Sequence, residues 1–352
     1  MSYYEKSKRA LEALRGKQGV RILALETSCD ETAAAVIEDG RSIISNVVHT
    51  QIDLHAVYGG VVPEIASRAH VMTVDAVINA ALSEAGMRAE DLDACAVTYG
   101  PGLVGALLTG VTAMKAYAYA IDKPLIPVHH ISGHICANYL TFPELEPPYL
   151  CLVVSGGHSH LIKVEDYGCY TLLGQTQDDA AGEALDKAAR VLHLPYPGGP
   201  LLDKLAKDGD KHYMKLPQPK IDGEFDFSFS GLKTAFINAA HKLEQAGETP
   251  RDADMAASFV EAVVSQLAGK AVLAAEKTGI DKLALAGGVS ANSQLRERMT
   301  AEAEKHGFKL YMPRLGLCTD NAAMIGSAAY YAMLRGACAD LSLNAVPYLP
   351  LV

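Results

Sequence analysis

The chain has 352 residues, 49% hydrophobic and 20% charged, with a formal net charge of −10. That length allows two domains with separate cores, and that charge excludes a protein that holds nucleic acid by bulk electrostatics. An RNA substrate would need a local basic patch or a basic partner.

Residues 1–19 read as a loose helical extension, peripheral to the fold and lacking the apolar core of a secretory signal. Arg21 to Ser28 (RILALETS), Thr32 to Glu38 and Ser42 to Gln51 read as three strands, with a short turn at Cys29, Asp30 and Glu31 and a hairpin signal at Asp39-Gly40. A long helix is predicted from Pro63 to Ala85, with Pro63 in its first turn. Asp93 to Gly102 is a strand running into a glycine turn, Gly105 to Ile121 a helix, and Leu125 to His130 a strand. The apolar stretch Ala106 to Ile121 contains Lys115 and is too short to span a bilayer, so no membrane is expected. Thr141 to Tyr149, with three prolines, marks a boundary. The order then repeats, with strands at 149–157, 158–166 and 169–176, helices at 181–194, 231–245 and 254–279, a strand at 281–290, a helix to Gly307, a short strand and a closing helix.

Three antiparallel strands followed by alternating helices and strands is the order of a ribonuclease-H-like α/β unit. The expected fold is α/β, with two duplicated ribonuclease-H-like domains facing across a cleft. The expected division is an extension at 1–19, domains at 20–143 and 144–317 (the second with a helical insertion), and a segment 318–352 packing back toward the first. Seven cysteines, an odd number with no CxxC pair, argue against a disulfide framework and for a reducing, cytoplasmic setting.

His130 and His134 are four residues apart. On a helix both imidazoles share one face, about 5–6 Å apart at Cβ. They can hold one metal ion with a carboxylate as further ligand, or serve as capping or hydrogen-bonded histidines. Asp320 is a candidate carboxylate, or else the cap of the helix that follows it. Ile131 stands where a zincin's HExxH would place its glutamate, so protease chemistry lacks its base. Glycine turns occur at Val154 to His160 (VSGGHSH, read as the tip of a buried hairpin), Ala286 to Asn292 (AGGVSAN) and Leu194 to Asp203 (LPYPGGPLLD). Backbone N–H groups at such turns can face an anion with no Cβ in the way. Plain hairpin geometry, an N-cap at Asn292, and an Asp186–Arg190 pair are the structural alternatives. GxxxxGK[ST] does not occur. The lysine-rich, loop-like stretch Asp203 to Lys220 is either a phosphate-tracking surface or a solvated insertion.

Together LETSCDET, YGGVVPEIASRAH, YGPGLVGALLTG, PVHHISGH, LVVSGGHSHL, DDAAGEALDKAAR, PGGPLLD, FSFSGLKTA, AGGVSAN and CTDNAAMIG resemble the tRNA adenosine threonylcarbamoyltransferase family of bacterial TsaD type, once described as glycoproteases. The match runs in order from Ile22 to residue 336; the N-terminal extension lies outside it, and Ala322 replaces a frequent glycine. The resemblance implies an actin/Hsp70/hexokinase-like fold with an adenine nucleotide in its cleft. It implies transfer of threonylcarbamoyl from its adenylate to the exocyclic amine of adenosine 37 in tRNAs reading ANN codons. It implies one divalent ion, Fe or Zn, on His130, His134 and Asp320, and adenylate binding at Val153, Val154, Ser155, Gly156, Gly157, Asp186, Gly199, Asp203 and Asn292. Expected partners are tRNA, a paralogous TsaB-type protein docking on the N-terminal domain, for which the helix Pro63 to Ala85 offers a face, and a small TsaE-type ATPase. An exocyclic adenine amine is a poor nucleophile, so positioning and a more electrophilic carbonyl must carry the rate. Asp30, with Glu31 beside it, is the candidate acid/base. A non-catalytic nucleotide-binding scaffold of the same complex is the alternative, and the retained metal set favours the enzyme.

Overall fold

The computed structural model describes residues 1–218 and 221–352. In chain order the elements are α1 (Tyr3–Leu14), β1 (Arg21–Glu26), β2 (Glu31–Glu38), β3 (Ser42–Thr50), α2 (Ile52–Ala56), α3 (Pro63–Ala85), β4 (Ala94–Gly100), α4 (Val104–Ala120), β5 (Leu125–His129) and α5 (His130–Thr141). They continue as β6 (Tyr149–Val154), β7 (Ser159–Asp166), β8 (Cys169–Gln175), α6 (Ala181–Val191), α7 (Gly198–Ala206), α8 (Ser230–Gln245), α9 (Asp252–Thr278), β9 (Lys282–Ala286), α10 (Ser293–His306), β10 (Lys309–Tyr311) and α11 (Ala322–Leu334). Two compact units result, Met1–Leu145 with Pro313–Val352, and Glu146–Met312.

Each unit is built on a five-stranded sheet, ordered β3-β2-β1-β4-β5 in the first and β10-β9-β6-β7-β8 in the second. In both, the first three strands are antiparallel and the next two run parallel to the first. The repeated order is the duplicated ribonuclease-H-like topology expected from the strand pattern. Local chemistry accounts for most boundaries. Asp39 (φ 52°) and Gly40 (φ 70°) form the β2–β3 turn, where two left-handed residues match the strand twist. Pro63 opens α3 and Gly86, at φ 62°, ends it.

β1 is buried along almost its whole length because both faces of its sheet are covered. On one face Leu23, Leu25 and Val36 meet Val74, Val77 and Ile78 of α3 and Val111 and Met114 of α4. On the other, α11 returns from the far end of the chain, and Gly326 admits it so closely that a Cβ there would lie 2.5 Å from Ile37. α9 is long and apolar enough to cross a membrane, but most of it is buried in the second unit's core, packed with residues of α6, α8 and β6.

Three expectations change. Residues 1–19 are not a loose, peripheral extension: Ser2 and Glu5 cap α1 reciprocally, Ser7 and Leu11 are buried, and the Tyr3 hydroxyl donates to the Lys123 carbonyl at 2.7 Å. The PGGPLLD turn is mostly helix, because Gly198 and Gly199 begin α7. The lysine-rich stretch is not a free loop: it starts inside α7, and the Asp210 and Met214 N–H groups donate to Asp254 (2.8 Å) and Ser258 (3.1 Å) of α9. Lys220 lies outside the described residues.

Candidate active site

β1, β4 and β5 run parallel, and polar side chains of the first unit gather at their carboxyl ends. β5 passes directly into α5. His129 caps that helix, accepting the Ile131 N–H at Nδ1 (3.1 Å) with Nε2 3.1 Å from the Leu349 carbonyl, so this histidine is structural. His130 and His134 follow one turn apart, both buried, their ring centroids 4.7 Å apart and nearly perpendicular. Asp320 Oδ1 lies 3.5 Å from His130 Nε2 and 3.2 Å from His134 Nε2. The cap of α11 is Asn321, whose side chain accepts the Met324 N–H at 3.0 Å, so Asp320 is not needed as a cap. One ligand atom from each of the three residues lies within 4.8 Å of the others.

These residues fit a divalent ion. Both ring nitrogens of His134 are buried without a hydrogen-bond partner; Nε2 is near Asp320 but outside hydrogen-bonding geometry. Two imidazoles and a carboxylate converging on one point, one of them otherwise orphaned, form a donor set suited to Zn or Fe. Burial opposes charge on His130, but the Asp320 and Glu26 carboxylates outweigh it and hold the imidazole up at about 9. Burial, then the charges of Asp320 and Asp30, push Glu31 up to about 10. A cation among these groups would relieve that crowding.

Behind His130 lies a residue that sequence reasoning missed. Glu26, fully buried at the end of β1, places Oε2 3.2 Å from His130 Nδ1. Its signal was visible as a lone acid closing the otherwise apolar run ILAL. Burial acts to raise its carboxyl, yet the charge and hydrogen bond of His130 outweigh burial and lower it. Asp30 is buried in the β1–β2 connection, and Glu31 opens β2 within reach of the Thr50 hydroxyl (3.4 Å). Burial, and then Asp30, raise the Cys29 thiol well above its ordinary value, so it is not a thiolate nucleophile at neutral pH. All seven cysteines are free.

In the second unit a chain of contacts joins the remaining candidates. The Gly182 N–H, at the start of α6, donates to the Ser155 carbonyl (3.2 Å). Asp186, one turn further along α6, accepts the Gly199 N–H of α7 (2.8 Å). Burial raises its carboxyl, offset in part by the Gly199 and Gly198 N–H groups and by Arg190. Asp203 of α7 accepts from the Ser293 N–H and hydroxyl, both at 3.0 Å, and the neighbouring Asn292 caps α10 by accepting the Leu295 N–H (2.9 Å). Val153 and Val154, expected to bind adenylate, are fully buried in β6 between β7 and β9, so the sheet encloses them rather than offering them to a ligand. Gly156 and Gly157 form the exposed tip of the β6–β7 hairpin, whose strands are largely buried as expected. Neither is left-handed, and a Cβ on either would meet nothing within 4 Å. The fold itself therefore gives no reason for glycine at these two positions.

The model of the TsaD family, tRNA N6-adenosine threonylcarbamoyltransferase, matches residues 42–327. The chain belongs to this family. The tRNA N6-adenosine threonylcarbamoyltransferase of Clostridium perfringens is 54% identical over 331 residues, 94% of this chain and 98% of that one. Among solved structures, HypF of T. kodakarensis aligns at a TM-score of 0.62 and 15% identity, over 90% of this chain and 48% of its own. Full-length HypF in a phosphate- and nucleotide-bound form aligns at 0.56 and 13% identity, over 91% and 46%. At such identities these two speak for the fold alone, the actin/hexokinase-like α/β fold that the family resemblance implied. As a TsaD-family member the chain is a transferase that carries a threonylcarbamoyl group to N6 of a tRNA adenosine, and tRNA is its substrate.

Proposed function

We propose that this TsaD-family enzyme takes the threonylcarbamoyl group from threonylcarbamoyl-adenylate and passes it to adenosine 37 of tRNAs reading ANN codons. One Zn or Fe ion per subunit is held by His130, His134 and Asp320. The observation that carries this reading is the orphaned His134 imidazole, converging with His130 on Asp320. The adenylate lies along the Ser155–Gly157 turn, where unencumbered glycines let backbone N–H groups approach a phosphate. Asp186, Gly199, Asp203 and Asn292 build the walls beside it. That a fold neighbour was solved with nucleotide and phosphate bound agrees with this assignment.

In the reaction the adenine N6 attacks the carbamoyl carbon, a C–N bond forms, the bond to the phosphate oxygen breaks, and AMP leaves with the electron pair. An ion held by His130, His134 and Asp320 would supply Lewis-acid stabilisation of developing negative charge. Asp30 orients the amine and takes its proton, with Glu31 beside it. The enzyme works in the cytoplasm with a paralogous TsaB-type partner on α3 and a small TsaE-type ATPase. The test is transfer from synthetic adenylate to unmodified tRNA, partners supplied. Asp320→Ala is expected to lose both metal and transfer; Asp30→Asn is expected to lose transfer while still binding adenylate. Full transfer by Asp320→Ala would demote the three ligands to structure, and unchanged turnover by Asp30→Asn would remove it from the chemistry.

A further inference from the structure

His130 turns Nε2 toward Asp320 and Nδ1 toward Glu26. A neutral imidazole can ligate through Nε2 only in the tautomer whose proton is on Nδ1. That proton needs an acceptor; Glu26 Oε2 lies 3.2 Å away, with the Ser28 hydroxyl at 3.1 Å. Glu26 is itself fixed. Its Oε1 accepts the Ser28 N–H and its Oε2 accepts the Thr98 hydroxyl at 2.6 Å, in a site with no solvent exposure. With a donor on each oxygen, the carboxylate has no competing orientation.

We propose that Glu26 is a positioning residue for the metal site: its buried carboxylate sets the tautomer and ring orientation of His130, presenting the Nε2 lone pair to a divalent transition-metal ion. This rests on the reading of His130, His134 and Asp320 as the ligands. Glutamine has nearly the same shape and fails either way round. With its amide oxygen toward His130, its NH2 group meets the Ser28 N–H, donor against donor. With its amide nitrogen toward His130, it donates to Nδ1 and drives the imidazole proton onto Nε2, the ligating atom. A Glu26 that only filled space would tolerate the change. Ligand-orienting partners of this kind are worth roughly 10–100-fold in metal affinity.

The experiment measures zinc affinity of the full-length, metal-free protein by chelator competition, for wild type, Glu26→Gln and His130→Ala. Glu26→Gln is expected to bind zinc about 10–100-fold more weakly while still unfolding cooperatively. Nitrogen-15 imidazole correlation spectra of zinc-loaded wild type are expected to show the Nδ1–H tautomer for His130. Wild-type affinity in Glu26→Gln, or an Nε2–H tautomer in the loaded wild type, overturns the proposal; the second measurement stands even if the variant folds poorly. Undiminished zinc affinity in His130→Ala would remove the ligand assignment itself, and the role of Glu26 with it.

Discussion

Glu31 carries a strongly displaced carboxyl in the first unit's polar cluster. Its folded value is about 10 against an ordinary 4.5, with burial the largest cause and Asp320 and Asp30 next. Between those values the folded, metal-free protein holds a proton that the unfolded chain releases. Stability is therefore lost as pH rises through that window. Glutamine mimics the protonated side chain at every pH. Metal-free Glu31→Gln is expected to melt above wild type near neutral pH and to depend less on pH between about 6 and about 9. Wild type should regain stability at high pH once metal is bound, because a cation offsets the carboxylate charges. Melting curves across that range, with and without zinc, check the sign; a metal-free wild type that gains stability with rising pH contradicts it.

At the scale of elements, two glycine turns of the second unit make opposite demands. Gly287, after β9, has φ 84°, and a Cβ there would stand 2.4 Å from the Val154 carbonyl oxygen. Gly287→Ala is expected to cost about 1–3 kcal/mol of stability. Gly157 has open space around it, so Gly157→Ala is expected to stay within about 0.5 kcal/mol of wild type yet weaken adenylate binding. Denaturant melts paired with adenylate titrations separate the two; equal stability loss in both variants would make the tip a structural turn. The faces of α3 divide in the same way. His70, Val74, Val77 and Ile78 are buried, while Val71 and Met72 are 63% and 81% exposed, beside α4 with exposed Val104 and Leu108. An apolar patch this open suits a protein partner. Replacing Val71 and Met72 with Asp is expected to abolish assembly with the proposed TsaB-type partner in size-exclusion chromatography, with little change in melting temperature. Intact assembly would move the interface elsewhere.

For the whole molecule, the open question is how a chain of net charge −10 meets a polyanion. Lys211 and Lys215 are exposed on the segment tied to α9, where their charge is available to phosphate. Charge reversal at both is expected to weaken tRNA binding and to lower the slope of log affinity against log salt by about 1–2, since each phosphate contact contributes slightly less than one. An unchanged slope assigns the tRNA contacts to another surface or to the partners.

Much of this could be read from sequence because its causes are local. Apolar periodicity, Pro63, Gly86 and Asp39-Gly40 mark elements through backbone geometry alone, and the repeated strand order exposes the duplication. The spacing of His130 and His134 needs only a helix to bring the rings together. What depended on tertiary structure was every pairing between distant segments. Asp320 could be read as ligand or as cap until Asn321 was seen to take the cap. Glu26 looked like one acid at a strand end until burial placed it behind His130. The α1 helix looked detachable because its buried residues are just Ser7 and Leu11, too few apolar positions to announce a core face. In PGGPLLD the glycines hid a helix that is stabilised by packing on α6 and α9 rather than by propensity. Local chemistry decides which elements form; which side chains meet is decided by burial shared among elements far apart in the chain.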